Sequence, residues 1–255
     1  MTASLREIKV YTTFPHDCSY LDGREATTLF VDPRQKINQR LYTQLSLLGF
    51  RRSGDHVYRP HCDRCNACVP SRIDIAEFRL SRSQRRILNR NHDITVARSE
   101  HIFDDETYAL YHRYIEQRHA DGDMYPPDRD QYESFLNNGL GCTEYYRFSL
   151  GDQLVGVSVV DVMEDGLSAI YTFYDPDHER RSLGTFAVLH QLEEARRRAL
   201  PYVYLGFWIE ESPKMSYKSK FNALEILKGG EWRRLQASAA DQDTTEPVRN
   251  LMLNR

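Results

Sequence analysis

The chain has 255 residues, 28% charged and 40% hydrophobic, with a formal net charge of −3. Its length favours two domains over one; no apolar run approaches the roughly 20 residues that cross a bilayer, and residues 1–14 mix Arg6, Glu7 and Lys9 among apolar positions, unlike a secretory signal, so a cytoplasmic protein with no membrane partner is expected. The negative balance excludes whole-molecule attraction to nucleic acid, so any RNA contact must be local, and five cysteines, three of them between Cys62 and Cys68, point to metal ligands or reduced thiols rather than a disulfide framework.

In chain order, Ile37, Leu41, Leu45 and Leu48 recur at helical spacing and Gly49 follows where a C-capping glycine sits, which predicts a helix over 34–48. Residues 28–31, 57–58 and 73–75 read as short strands, with a turn at Ser53-Gly54-Asp55. The first hundred residues therefore read as a small α+β unit. The second unit, 101–255, opens with helices over 105–119 and 129–136, separated by the turn-rich stretch 121–127. Three β-rich stretches follow, 144–150, 154–163 and 167–174, and the tight turns Gly151-Asp152 and Asp165-Gly166 make them an antiparallel meander. A long helix over 182–200, a strand over 202–209 and a loose polar tail from about 238 complete the chain.

Helices, meander, long helix and strand follow the order of the Gcn5-related acyltransferase fold, and the second unit resembles it. In that fold a loop of the form Arg/Gln-x-x-Gly-x-Gly/Ala opens the long helix, where backbone N–H groups wrap the pyrophosphate of coenzyme A. Here the stretch reads Arg181-Ser182-Leu183-Gly184-Thr185-Phe186. A phenylalanine at the last small position is expected to crowd a phosphate, which disfavours a coenzyme A-dependent N-acetyltransferase.

Three stretches carry chemistry. Cys62, Cys65 and Cys68 in C-x₂-C-x₂-C spacing set three thiolates within reach of one ion, with Cys18, His16 or His61 as a fourth ligand for zinc or an iron–sulfur cluster. The plainer reading makes some of them small buried hydrophobes. Arg79, Arg82, Arg85, Arg86 and Arg90 crowd twelve residues around Ile87 and Leu88, a density that suits phosphate contact as well as a solvated helix face. Basic groups recur at Arg51-Arg52, Arg196-Arg197-Arg198 and Lys214, Lys218 and Lys220. Finally, a strand over 202–209 carrying Tyr204, Gly206 and Trp208, followed by Lys214, Tyr217 and Lys218, offers aromatic and cationic groups to a ligand, or an ordinary core with surface lysines.

His16-Asp17-Cys18-Ser19-Tyr20-Leu21, Ala26 to Pro33, Tyr58-Arg59-Pro60, the three-cysteine motif with Val69-Pro70-x-Arg72, and Ser81-Arg82-Ser83-Gln84-Arg85-Arg86 resemble the N-terminal domain of the arginyl-tRNA–protein transferase family. Arg118-His119-x-Asp121-Gly122-Asp123-Met124, Tyr171 to Pro176, and Tyr204-Leu205-Gly206-x-Trp208-Ile209 with Lys214-Met215-x-Tyr217-Lys218 resemble its C-terminal domain, nearest the bacterial aspartate/glutamate leucyltransferase branch. One departure is that Cys18 is followed by Leu21 where eukaryotic relatives carry Cys-x-x-Cys, which speaks against an iron–sulfur cluster.

The resemblance implies transfer of leucine from leucyl-tRNA to the α-amino group of proteins that begin with Asp or Glu, marking them for degradation. An arginyl donor is the neighbouring alternative, and a zinc-dependent RNA-binding module the alternative from another class. Because the aminoacyl ester is already activated, the chemistry requires no cofactor, only orientation and donors for the developing oxyanion. The implied centre holds Tyr171, Tyr174, Asp175 and Gly184, with Asp175 or Glu225 accepting the amine proton. Tyr204, Gly206, Trp208, Lys214, Tyr217 and Lys218 surround the substrates, Lys214 or Lys218 holding the acceptor's carboxylate. The Arg79 to Arg90 patch takes the tRNA backbone. The oligomeric state is not legible.

Overall fold

The computed structural model describes residues 5–137 and 139–235; the polar tail expected from about 238 lies outside the described residues. The early strands are β1 (Val10–Thr12), β2 (His16–Asp17), β3 (Glu25–Ala26), β4 (Thr28–Val31), β5 (Arg51–Ser53) and β6 (His56–Pro60), with helix α1 (Gln39–Leu47) between β4 and β5. Then come β7 (Val69–Asp74), α2 (Arg82–Arg90), β8 (Ile94–Ser99), α3 (Asp105–Arg118), α4 (Arg129–Leu136), β9 (Thr143–Leu150), β10 (Gln153–Val162), β11 (Gly166–Tyr174), α5 (Leu183–Arg197), β12 (Tyr202–Trp208), β13 (Leu224–Lys228) and β14 (Glu231–Arg234).

The expected α+β class is observed, and the expected meander is the β9–β10–β11 run. Caps define the helices. Ser81 and Gln84 form a reciprocal capping box that starts α2, while Asp104 and Asp128 accept the Thr107 and Gln131 N–H groups to start α3 and α4.

A small sheet, in the order β1–β4–β6–β5, lies beside an eight-stranded sheet in the order β14–β13–β7–β12–β11–β10–β9–β8. The expected first unit, 1–100, contributes two strands to the large sheet, β7 as the third of its eight strands and β8 at its edge. β7 was legible only in its last residues because Ser71 and Arg72 interrupt its apolar character, yet it pairs on both sides, Val69↔Trp208 to Asp74↔Tyr202 and Leu224↔Ile73 to Ile226↔Ser71.

Helices cover both faces. Phe186, Leu189 and Leu192 of α5 pack with Ile73, Val203 and Leu205 on one face; Tyr111 and Ile115 of α3 and Tyr132 and Leu136 of α4 pack with Val157, Val159 and Phe173 on the other. Helix α1 buries Leu41, Tyr42 and Leu45 between the small sheet and Met163 and Tyr204 of the large one. The two sheets are thereby fused. Among the described residues no helix is long and apolar enough to cross a membrane.

Candidate active site

The site begins where two parallel strands part. β11 and β12 pair only through Gly166–Ser168 and Tyr202–Tyr204, after which β12 continues beside β7. Two residues hold the split open. Gly206, at φ +78°, interrupts the β12–β7 register, a conformation that a side chain would strain. Arg51, reaching in from β5, donates through Nη1 to Ser168 Oγ (2.8 Å) and through Nη2 to the Ala169 carbonyl (2.5 Å). Its guanidinium lies 3.3 Å from where a Cβ on Gly206 would stand, so the glycine also makes room for it.

Past this apex lies a cavity of about 710 Å³, walled by the outer halves of β11 and β12, the start of α5, the 213–218 segment, and Tyr20 and Tyr58 from the N-terminal part. Lys218 is buried at 6% exposure, and its ammonium donates to the Phe207 carbonyl. Burial, and secondarily the nearby Arg51 charge, lower its pKa from 10.5 to about 7. No protein carboxylate offsets these two cations: among the described residues that line the cavity the one acid is Glu179, and it is paired with Arg118 at 3.0 Å. Buried cations without a counter-charge are costly. Loss of the Lys218 proton relieves part of that cost, and an anionic ligand relieves the rest.

The opposite wall is the first turn of α5. Its first intrahelical N–H donor is Phe186, bonded to the Ser182 carbonyl, so the N–H groups of Leu183, Gly184 and Thr185 have no partner within the helix. Tyr174 packs against Gly184, its Cε1 3.2 Å from the position of a Cβ there. Oriented N–H groups and a helix dipole beside a cavity suit a carbonyl that gains negative charge. Tyr171 stands in the same cavity with its phenol held neutral by burial, and burial pushes Tyr217 up to about 12. His119, bonded to the Tyr114 hydroxyl at 3.1 Å, is depressed by burial and by the Lys214 charge.

Of the residues expected around the reaction, Tyr171, Tyr174, Gly184, Gly206, Lys214, Tyr217 and Lys218 are brought together. Four are not. Asp175 is 1% exposed and engaged by Arg113 (2.7 Å), Gln153 and the Asp177 N–H, so it is a structural cap rather than a base. Glu225 pairs with Arg72 at 2.9 Å on the far side of β7, and Tyr204 bonds Asp165 and Arg72 there. Trp208 is buried with Val69 and Ile226 at the lining of a second cavity. Lys214 is exposed and already tied to Asp121 at 2.7 Å, which leaves Lys218 as the better carboxylate ligand. Arg51, recorded in the sequence only as part of a basic pair, was missed because nothing local shows a strand residue crossing to another sheet.

The second cavity, about 860 Å³, is lined by Cys18, Cys62, Cys65 and Cys68 and adjoins the first through Tyr20, Tyr58 and Phe207. The four thiols share a cavity but do not form a ligand set: among the described residues no three His, Cys, Asp or Glu side chains gather as a metal site. Cys65 accepts instead from Arg24 (3.3 Å) and the Ala67 N–H, which lower its pKa, while burial and the neighbouring thiols raise Cys68 to about 12. Phe186 also departs from expectation, since it is buried against Phe148 at 5.7 Å and does not crowd the helix start. The α2 cations are only partly available: Arg82 and Arg86 are exposed, Arg79 and Arg85 half-buried, and Arg90 donates to the Arg180 carbonyl.

A cavity with a helix N-terminus at one side and buried cations at the other suits acyl transfer, and the chain's relatives make it an aminoacyltransferase. Models for the N terminus and the C terminus of arginine-tRNA-protein transferase match residues 16–86 and 106–228. The chain belongs to that family. Aspartate/glutamate leucyltransferase of Marinobacter nauticus is 54% identical over 91% of this chain and 98% of its own length. The Stutzerimonas stutzeri protein of the same name is 53% identical over 90% and 97%. Among solved structures, FemX aligns with a TM-score of 0.46 at 10% identity over 82% of each chain. L-PGS from Bacillus licheniformis gives 0.44 at 12% over 66% of this chain and 49% of that one.

Proposed function

We propose that this protein transfers the leucyl group of leucyl-tRNA to the α-amino group of polypeptides that begin with Asp or Glu. The observation that carries the reading is the uncompensated pair Arg51 and Lys218 inside a cavity that also presents the N-terminus of α5. The acceptor's side-chain carboxylate supplies the pair with a counter-charge, and this holds its α-amine one residue's geometry away, facing the ester. The amine nitrogen attacks the ester carbonyl carbon, the N–H groups near Gly184 stabilise the oxyanion, and the carbon–oxygen bond to the tRNA ribose breaks. A free α-amine has a pKa near 7.7–8.0, so roughly a tenth is unprotonated at pH 7 and a dedicated base contributes little. The proton it loses leaves on the ribose oxygen or in solvent. The exposed Arg82 and Arg86 on α2 support contact with the tRNA backbone.

The test offers the purified chain labelled leucyl-tRNA and, separately, arginyl-tRNA, with peptides beginning Asp, Glu, Arg or Lys. Label from the leucyl donor is expected on the Asp and Glu peptides. Transfer to Arg or Lys peptides, or none to any, refutes the reading.

A further inference from the structure

Leucyl and arginyl esters present the same reacting atoms, so a protein that distinguishes them must do so where the donor side chain lies. The lining of the active cavity has two unlike parts. One is the cationic apex of Arg51 and Lys218. The other, on the α3–α4 face, is a recess of Met124, Phe135, Ile170 and Tyr171, all half-buried and packed on the same hydrophobic cluster. Phe135 meets Tyr171 edge-on with ring centroids 5.3 Å apart, and Tyr114 and Phe173 back Tyr171 at 6.4 and 6.3 Å. Among the described residues no carboxylate faces this recess from the lining, whose single acid, Glu179, is held by Arg118.

We propose that the recess of Met124, Phe135, Ile170 and Tyr171 receives the side chain of the donor aminoacyl group, and that the absence of an acid there selects an uncharged aliphatic group over a guanidinium. The inference rests on the proposed function and adds to it the residues that read the donor. Burying an unpaired guanidinium in an apolar recess of an already cationic cavity is strongly unfavourable. Size alone discriminates weakly, since one methylene is worth only about 10- to 200-fold. Selection against arginyl is therefore steep, and selection against methionyl, another uncharged group, is shallow.

The experiment measures kcat/KM of the full chain for leucyl-, methionyl- and arginyl-tRNA with an Asp-initiated peptide, in the wild type and in Met124→Glu, Phe135→Glu and Phe135→Leu. The wild type is expected to favour leucyl over arginyl by at least on the order of 100-fold and over methionyl by about tenfold. Either acidic variant should lower the leucyl-to-arginyl ratio at least tenfold by supplying the missing partner, whereas Phe135→Leu should move only the leucyl-to-methionyl ratio. A leucyl-to-arginyl ratio unmoved in both acidic variants, with wild-type melting temperatures, overturns the inference. Should the acidic variants not fold, methionyl rejected as steeply as arginyl by the wild type overturns it equally. Absence of transfer from every donor strikes instead at the proposed function and takes this inference with it.

Discussion

Replacing Lys218 with Met separates function from stability in one position. The fall of its pKa from 10.5 to about 7 corresponds to roughly 5 kcal/mol, as an order of magnitude, favouring the neutral over the charged amine in the folded chain. A group depressed in this way destabilises the fold most fully below about pH 7, where it is charged in both states, and the penalty fades as pH rises towards 10.5. Methionine fills a similar volume without the charge. The lost bond to the Phe207 carbonyl returns about 1–2 kcal/mol of that gain. Lys218→Met is therefore expected to melt at the wild-type temperature or above it, most clearly at pH 6. Its transfer to Asp-initiated peptides should fall, because truncating one partner of a buried charge pair costs about 2–3 kcal/mol while Arg51 remains, or roughly 30- to 150-fold in kcat/KM. Asn-initiated peptides, which offer no charge, should change by less than about threefold. The assay is label transfer from leucyl-tRNA to the two peptides beside a thermal melt. An unchanged Asp-to-Asn preference in a folded variant refutes the assignment.

The same lysine sets a pH dependence: KM for Asp-initiated peptides should rise between pH 6 and 8.5 as Lys218 loses its proton, KM for Asn-initiated peptides should not, and a parallel rise in both removes the lysine from recognition. Arg82→Ala and Arg86→Ala should each weaken tRNA binding and reduce the slope of log K against log salt by about one, measured by titration at several ionic strengths; an unaltered slope moves the tRNA path elsewhere. Asp161→Asn removes the partner of Arg52, both side chains being fully buried at 2.7 Å. It should cost about 3–5 kcal/mol and lower the melting temperature by roughly 6–20 °C, and Arg52→Met with Asp161→Leu should restore much of it.

What the sequence displayed well was local. The helix over 129–136, the meander and the strand from Tyr202 carry period-3.6 or period-2 patterns and their own caps and turns, and they appear almost as read. The strand β8 and the β13–β14 hairpin were passed over, although Gly229 and Gly230, both at positive φ, form a turn signal of the usual kind. Tyr171 and Tyr174 were reached through family motifs, Gly184 through the loop that opens the long helix, and Lys218 through its place after the aromatic strand. Asp175 shows the limit of such signals: its chemistry is that of a base, but only the fold reveals Arg113 lying against it. Arg51 and Arg52 pose the converse difficulty. Adjacent residues in a three-residue strand, they bond to Ala169 and Asp161, more than a hundred positions away, and no window of sequence contains that information.

One charge arrangement accounts for three selections at once. Cations at the strand apex require an acid on the acceptor, and the same cations, with no acid in the aromatic recess, exclude a charged donor. The third selection concerns the product. Once leucine is attached, the acidic side chain belongs to the second residue, and the new α-amine lies about 3.5 Å further along the chain. If the carboxylate seats on Arg51 and Lys218, that amine overshoots the ester, so a single leucine addition is expected; a ladder of leucines on the Asp-initiated peptide, read by mass spectrometry, refutes the seating.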